Sequence, residues 1–315
     1  MIVTVTAHPS LDRTVSLEAA LTIGDVQSAA GVREDAGGKG VNVAGVVAAA
    51  GEPAVAILPL APSDPFGAVL AETGLQTVAV PASGRVRSNI AVVDPSGVTT
   101  KINVPGARLG PEVLDALVDA VVTAANGADW LVLAGSLPPG APEDLYVRMI
   151  RAVRAAHASN PRIAVDTSGP ALRAVVEAGG ADLIKPNEIE LAELAGATYG
   201  EDVDLVDAVT VVARELVPGR VGAALVTLGA RGAVLVEAGG AWAGSPPPIT
   251  VRSTVGAGDS SLAGYLLAAV RGAGPAERLR SAIGYGAAAT SLDGTQPPTP
   301  NDLPAGDIPV HALPN

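Results

Sequence analysis

Asp259 stands in the run Ser253-Thr254-Val255-Gly256-Ala257-Gly258-Asp259-Ser260, between the β-branched Ile249-Thr250-Val251 and the segment Leu262–Val270. That last segment is apolar almost all round, which reads as a helix buried in a core. Two glycines ahead of it let the backbone turn tightly, so that N–H groups and the helix dipole converge on one spot suited to an anion. Asp259, in the first turn, is placed to take a proton from a group attacking that anion. An acidic residue near a helix N-terminus is also favoured on dipole grounds alone. The turn by itself therefore leaves both readings open.

Four other stretches carry groups that could join it. Gly37-Gly38-Lys39-Gly40-Val41-Asn42 precedes a helical pattern over Val41–Ala50, so its glycines and Lys39 could meet an oxygen-rich ligand; the alternative is a flexible turn with a solvated lysine. It is not a Walker A loop, because the GxxxxGK[ST] spacing is missing. Ala7-His8-Pro9-Ser10-Leu11-Asp12-Arg13 follows the first strand and puts Asp12 at the carboxyl edge of a sheet, able to accept hydrogen bonds from sugar hydroxyls or simply to cap a turn. Lys185-Pro186-Asn187-Glu188-Ile189-Glu190 follows another strand. Asn187 and Glu190 share a helix face and suit hydrated magnesium, yet N-x-x-E is equally a capping box. Val226–Leu235, shaped by Gly229 and Gly232, reads as a strand–turn–strand, and Arg87 is either a surface arginine or a phosphate clamp.

Positioning these groups takes a framework, and its pattern is regular. Strand-like runs cover Ile2–Thr6, Ala54–Leu60, Leu75–Val80, Trp130–Ala134, Ile163–Asp166, Asp182–Ile184, Ala223–Thr227 and Ala233–Glu237. Helical patterns at Val41–Ala50, Pro111–Ala125, Pro142–Ala156, Pro170–Ala178 and Val203–Leu216 fall between many of them. The alternation predicts an α/β fold with a mostly parallel sheet covered on both faces. Two stretches break the rhythm, at about residues 13–35 and 85–104. Asp94-Pro-Ser-Gly97 marks a hairpin turn in the second, and the first is expected to supply its partner. Together they predict a small flap over the site, with a face suited to a dimer contact. The chain turns Pro-rich after Thr290, and residues 301–315 are expected to form an irregular tail outside a domain of residues 1–300.

Composition excludes several classes. The 315 residues are 48% hydrophobic and 17% charged, which is globular. A net charge of −12 without a basic run argues against nucleic acid and anionic membrane as partners. There are no cysteines, hence no disulfides or thiolate metal sites, and His8, His157 and His311 lack metal-ligand spacing. The nearest approach to a hydrolase nucleophile elbow, at Ala134–Gly140, has proline where the helix should run. No apolar run reaches the ~18 residues of a bilayer span, and the first strand at Met1 shows no signal-peptide pattern, so the expected location is cytoplasmic. Only three lysines occur, Lys39, Lys101 and Lys185, and two of them fall in the stretches above.

Taken in order, G-G-K-G-x-N at 37–42, A-G-S-L-P-P-G at 134–140, D-T-S-G at 166–169, K-P-N-x-x-E at 185–190 and G-A-G-D at 256–259 resemble the phosphofructokinase B branch of the ribokinase-like sugar kinases over nearly the whole chain. Ser253 is most similar to the 1-phosphofructokinase and tagatose-6-phosphate kinase subgroup. The resemblance implies a ribokinase-like sheet with a β-lid that pairs with the lid of a second subunit in a homodimer. It implies Asp259 as catalytic base and Gly256, Ala257, Gly258 and Asp259 as anion hole. Asp12, Gly37, Gly38, Lys39 and Asn42 would hold the sugar, with Arg87 and Lys39 on its existing phosphate. Lys185, Thr227, Gly229 and Gly232 would serve ATP, and Asn187 and Glu190 would serve Mg²⁺ through water. Fructose 1-phosphate is the expected substrate; tagatose 6-phosphate, fructose 6-phosphate and a non-catalytic sugar-phosphate sensor are the alternatives. One departure stands out: His8 occupies a position where the subgroup usually carries Asn.

Overall fold

Short runs of β-branched and aliphatic residues between glycines and prolines become buried strands, because a parallel strand covered on both faces needs apolar side chains in both directions. In the computed structural model, which describes residues 1–157, 161–200 and 203–314, these strands are β1 (Ile2–Thr6), β4 (Ala54–Leu60), β5 (Gln76–Pro81), β8 (Trp130–Ala134), β9 (Arg162–Asp166), β10 (Leu183–Ile184) and β11 (Ala223–Thr227). They run parallel in the order β11-β10-β9-β8-β1-β4-β5. The register sets Ile2 between Ala54 and Trp130 and carries Thr6 to Ala134. An antiparallel extension, β12 (Ala233–Glu237) and β13 (Gly240–Gly244), continues from β11.

The period-two alternation of the strands builds two cores. Val3, Val5, Leu131, Leu133 and Val165 face one way. They meet helices α3 (Pro111–Ala124), α4 (Leu145–Ala156), α5 (Gly169–Ala178), α6 (Glu188–Ala195) and α7 (Leu205–Leu216). Ile2, Leu58, Trp130, Val132 and Leu225 face the other. There they pack on α1 (Lys39–Ala49), α2 (Phe66–Glu72), α8 (Ala257–Val270) and α9 (Pro275–Thr290). Helix α8 is buried along most of its length, as its apolar composition requires. No helix among the described residues is long and apolar enough to cross a membrane.

A second, four-stranded sheet of order β3-β2-β6-β7 forms the lid, from β2 (Ser10–Leu17), β3 (Ala29–Gly37), β6 (Arg87–Val93) and β7 (Thr99–Val104). Strands β6 and β7 form the expected hairpin, its turn pinned by the Asp94 carboxylate accepting from the N–H groups of Ser96 and Val98. Strand β2 is the partner from the earlier segment, parallel to β6. It begins at Ser10, so Asp12 lies on the lid sheet itself, opposite Asn89 and Asp35, and not in a loop at the edge of the main sheet.

Several boundaries differ by one to three residues from the pattern read in the sequence, among them those of β5, α4 and α7. Helix α1 starts at Lys39, two residues early, because Gly38 ends the turn with φ 120°. The largest correction concerns the tail of residues 301–315, which is not irregular throughout: Val310–Leu313 is strand β14, antiparallel to β13 with Trp242 opposite Ala312. Strand β13 would otherwise expose a row of unpaired backbone groups, and the tail covers them.

Candidate active site

The carboxyl ends of β9 and β10 bring Asp166 and Lys185 side by side, and the first residue of α1 supplies Lys39. Asp166 is fully buried. It lies 2.6 Å from Lys39 Nζ and 3.1 Å from Lys185 Nζ. Burial alone would raise its pKa, but Lys185 and Lys39 hold it below the usual carboxylate value. Burial would likewise lower the pKa of Lys39, but Asp166 and then Asp259 push it up to about 12. The three charges lock one another: Asp166 stays an anion and both lysines are held in place.

Asp259 faces this cluster from the first turn of α8. Its Oδ2 accepts a 2.7 Å hydrogen bond from Asn42 Nδ2, one turn into α1. Burial, and next the charge of Asp166, raise its pKa to about 6, against the opposing pull of Lys39, Asn42 and Lys185. It is therefore the carboxylate here whose proton moves near neutral pH. Gly256, at the cap of α8, takes the left-handed conformation (φ 78°, ψ −2°) that a side chain would disfavour. The N–H groups of Ala257, Gly258 and Asp259 precede the first bond closed by the helix, Ser260 N–H to Gly256 O at 2.8 Å, and so are open to an anion. A Cβ on Gly258 would stand 3.2 Å from Lys185 Nζ, so that ammonium lies against the same turn. Here the predicted Asp259, Gly256–Gly258, Lys185, Lys39 and Asn42 come together.

The lid side is assembled separately. Asp12 Oδ1 accepts from Asn89 Nδ2 at 2.7 Å. A Cβ on Gly37 would fall 2.2 Å from Asp12 Oδ2, so the carboxylate occupies space that only glycine leaves free. Gly38 packs on Thr6 of β1 and fixes the start of α1. A cleft of about 310 Å³ runs beneath the lid, with Asp12, Arg33, Arg87, Asn89, Lys101 and Asn103 among its lining residues. Arg87 is half-buried with no ion-pair partner among the described residues, and its Nε is buried without a hydrogen bond to them. Burial depresses its pKa, offset in part by Asp12. His8 lies nearby, with Nδ1 3.3 Å from Ser136 Oγ, and burial followed by the Arg87 charge drives its pKa to about 4. His8 is therefore neutral at physiological pH, and its Nε2 is also unpartnered.

On the remaining side, the capping box is formed in full: Glu190 N–H donates to Asn187 Oδ1 at 2.8 Å, and Asn187 N–H donates to Glu190 Oε2 at 2.9 Å. The Glu190 charge also helps to raise the Lys39 pKa. Asn187 bridges to Thr227 at the end of β11. Gly229 opens the 3₁₀ turn that follows. Gly232 lies where a Cβ would strike Gly244 O at 2.0 Å, so this glycine serves the crossing of β12 and β13. Thr227, Gly229 and Gly232 make no hydrogen bond or ion pair with the Asp259 cluster; they adjoin it through Asn187.

Two expectations shift. Lys39 and Arg87 were to clamp one phosphate, yet Lys39 is drawn to Asp166 and does not line the lid cleft. Asn42, expected on the sugar, donates its side-chain hydrogen bond to Asp259. Asp166 and Asn89 were given no role in the sequence reading. The D-T-S-G run contained a signal for Asp166, a carboxylate ending an otherwise apolar strand, but its two lysines come from positions 39 and 185.

Parallel sheet, paired helix layers and lid together define a ribokinase-like fold. Residues 10–302 match the pattern described as pfkB family carbohydrate kinase, and the chain belongs to that family. It is 38% identical over 309 residues to a 1-phosphofructokinase of Rhodobacter capsulatus, covering 96% of this chain and 95% of the relative. It is 34% identical over 299 residues to the ATP-dependent 6-phosphofructokinase isozyme 2 of Escherichia coli, covering 94% of each chain. The crystal structure of phosphofructokinase-2 from Escherichia coli in complex with fructose-6-phosphate superposes with a TM-score of 0.85 at 30% identity, covering 96% of both chains. The chain is an ATP-dependent carbohydrate kinase.

Proposed function

We propose that this kinase phosphorylates fructose 1-phosphate at C6, giving fructose 1,6-bisphosphate. The observation that carries the chemistry is Asp259: a buried carboxylate with a pKa raised to about 6, beside an anion-binding turn and two lysines. Asp259 accepts the proton of the C6 hydroxyl as the oxygen attacks the γ-phosphate of ATP. Asn42 aims the carboxylate, and the N–H groups of Ala257 to Asp259 with Lys185 meet the charge on the transferring oxygens. Asp12 and Asn89 hold sugar hydroxyls, and Arg87 holds the phosphate the substrate already carries. The substrate choice is supported by the 1-phosphofructokinase relatives.

Magnesium fits the nucleotide side as an ion arriving with ATP and keeping its waters. Asn187 Oδ1 and Glu190 Oε2 are engaged in the helix cap, which leaves the other Glu190 oxygen for a water-mediated contact. When bound, the ion offsets phosphate charge. The residues themselves position and hold.

A steady-state panel of fructose 1-phosphate, fructose 6-phosphate and tagatose 6-phosphate with MgATP tests the assignment. Fructose 1-phosphate should give the highest kcat/KM. A tenfold or greater preference for either 6-phosphate, about 1.4 kcal/mol, overturns the choice of substrate. Binding of a ketose phosphate without ADP release would mark a sensor in place of an enzyme. The outward lid face, with Val32, Ile102 and Val104 exposed, suits pairing with the lid of a second copy, so the working form is a homodimer. We place the enzyme in the cytoplasm, where ATP and sugar phosphates are available.

A further inference from the structure

We propose that Arg33 is a positioning residue: from lid strand β3 it props the lid against the bare backbone of Gly294, and so sets how closely Asp12 is held over the turn that carries Asp259. Its kinetic consequences rest on the function proposed above.

The lid is tied to the body along one edge only. Ser10, where β2 begins, stands opposite both Gly37, where β3 ends, and Arg87, where β6 begins. Val104, where β7 ends, pairs with Ser88, next to Arg87. All four connections to the body therefore leave from one row of the sheet, and the β6–β7 turn lies at the far end. A sheet held by one edge can rock about it, because a few residues in the connections absorb the change in φ and ψ. Its tilt is then fixed by whatever contact it makes with the body beyond that row.

Arg33 makes such a contact. It lies four residues along β3 from Gly37, roughly 13 Å out from the row of connections. Residues two apart on a strand point the same way, so Arg33 and Asp35 share the face that Asp12, opposite Asp35, also occupies. Asp35 Oδ2 accepts from Arg33 Nε at 2.9 Å and holds the guanidinium along one edge. The other end of that planar group lies against Gly294, where a Cβ would overlap Arg33 Nη2 and fall 2.5 Å from Cζ. Val255, Gly294 and Thr295 line the cleft from the body side, so Arg33 spans the cleft from lid to body. The seat is itself anchored. The Thr290 carbonyl, at the end of α9, accepts from the N–H groups of Arg252 at 2.8 Å and Ser253 at 3.2 Å, and Asp293 pairs with Arg252. Ser253 is three residues ahead of Gly256, so the seat and the anion-binding turn belong to one part of the body. Loss of Arg33 frees the lid and leaves that turn as it is.

Wild type, Arg33→Ala, Gly294→Ala and the double variant should be compared with MgATP and the preferred ketose phosphate. Each single variant should lower kcat by about 10-fold, because Asp12 no longer brings the sugar hydroxyl into line with Asp259, with KM for ATP unchanged. ADP released per sugar phosphorylated should rise above one as water gains access to the site. The double variant should match Arg33→Ala within about twofold, since the added methyl then has nothing to displace. The strain of alanine at the left-handed Gly294 (φ 62°) is present in both backgrounds and cancels in the comparison. Losses that multiply in the double variant, or a kcat of Arg33→Ala within about twofold of wild type, overturn the role of Arg33. Amide exchange of the substrate-free protein gives a readout that needs no turnover. Both single variants should speed exchange in β2 and β3 with β1 and β8 unchanged, and unaltered exchange in the lid also overturns the role. If the wild type turns over no ketose phosphate, the proposed function falls, and the exchange comparison alone decides on Arg33.

Discussion

The corner around Asp166 and the cleft beneath the lid are both charged, but they are built on opposite principles. In the corner every ionised group has an answering group: Asp166 meets two lysines, and Asp259 meets Asn42. In the cleft Arg87 and Lys101 have no answering carboxylate among the described residues, and Arg87 Nε is buried without an acceptor there. The first arrangement is held in place by the protein itself. The second is completed by what binds. The difference matches the division of tasks in the function proposed above, with transfer chemistry in the body and recognition of the sugar in the lid.

Breaking the corner should give the largest effects. Asp259→Asn removes the proposed proton acceptor and should lower kcat by roughly two to four orders of magnitude while sparing sugar-phosphate binding; near-normal turnover would remove Asp259 as base. The same substitution should stabilise the fold. A carboxyl whose pKa rises from 3.8 to about 6 on folding disfavours the folded state once it ionises, by up to about 3 kcal/mol. That cost is absent below the unfolded pKa and complete above about pH 6. The gain in thermal midpoint of Asp259→Asn should therefore be full at pH 7.5 and shrink as pH falls through 6 towards 4.

Asp166→Asn should act in the opposite sense on stability. It leaves Lys39 and Lys185 facing each other without their shared anion, and denaturant titration should show a loss of about 3–5 kcal/mol. On the lid side, Arg87→Met should leave stability nearly unchanged and raise KM for the sugar phosphate by about 10- to 100-fold. An effect of Arg87→Met on stability as large as that of Asp166→Asn would erase the distinction between the two regions. The smallest effect sharpens the role of Asp259. In wild type kcat/KM should fall tenfold per pH unit below about 6, and a flat acid limb down to pH 5 would assign the proton elsewhere.

Much of the framework was legible because buried parallel strands are short, apolar and bounded by turn residues. Strands β1, β4, β8 and β11 have the boundaries that the residue pattern predicts. What escaped the pattern shares a physical reason. Strand β13 is Gly-Ala-Trp-Ala-Gly, with too little β-branched character to stand out, and α9 is a Gly- and Ala-rich helix with no sharp apolar stripe. Strand β14 is a strand only because β13 has an edge to cover. Among site residues, Asp259 and its glycine turn form a continuous run, so sequence could show them. The partners of Asp166 are scattered over 146 positions between Lys39 and Lys185, and Arg87 and Lys101 come to line one cleft only once a hairpin folds. Side-chain commitments of this kind depend on tertiary contact. Lys39 shows this directly: a lysine beside glycines resembles a phosphate ligand until Asp166 is placed 2.6 Å away.

The lid is a separate sheet, joined to the body through β2, β3 and the segments flanking the β6–β7 hairpin. Substitutions on its inner face can therefore accumulate without disturbing Asp166 or the turn at Gly256, whereas a change at Asp166 threatens the whole fold. Variation through descent is channelled accordingly. New sugar preferences are reachable by drift in a few strand residues, and the machinery for spending ATP is inherited intact.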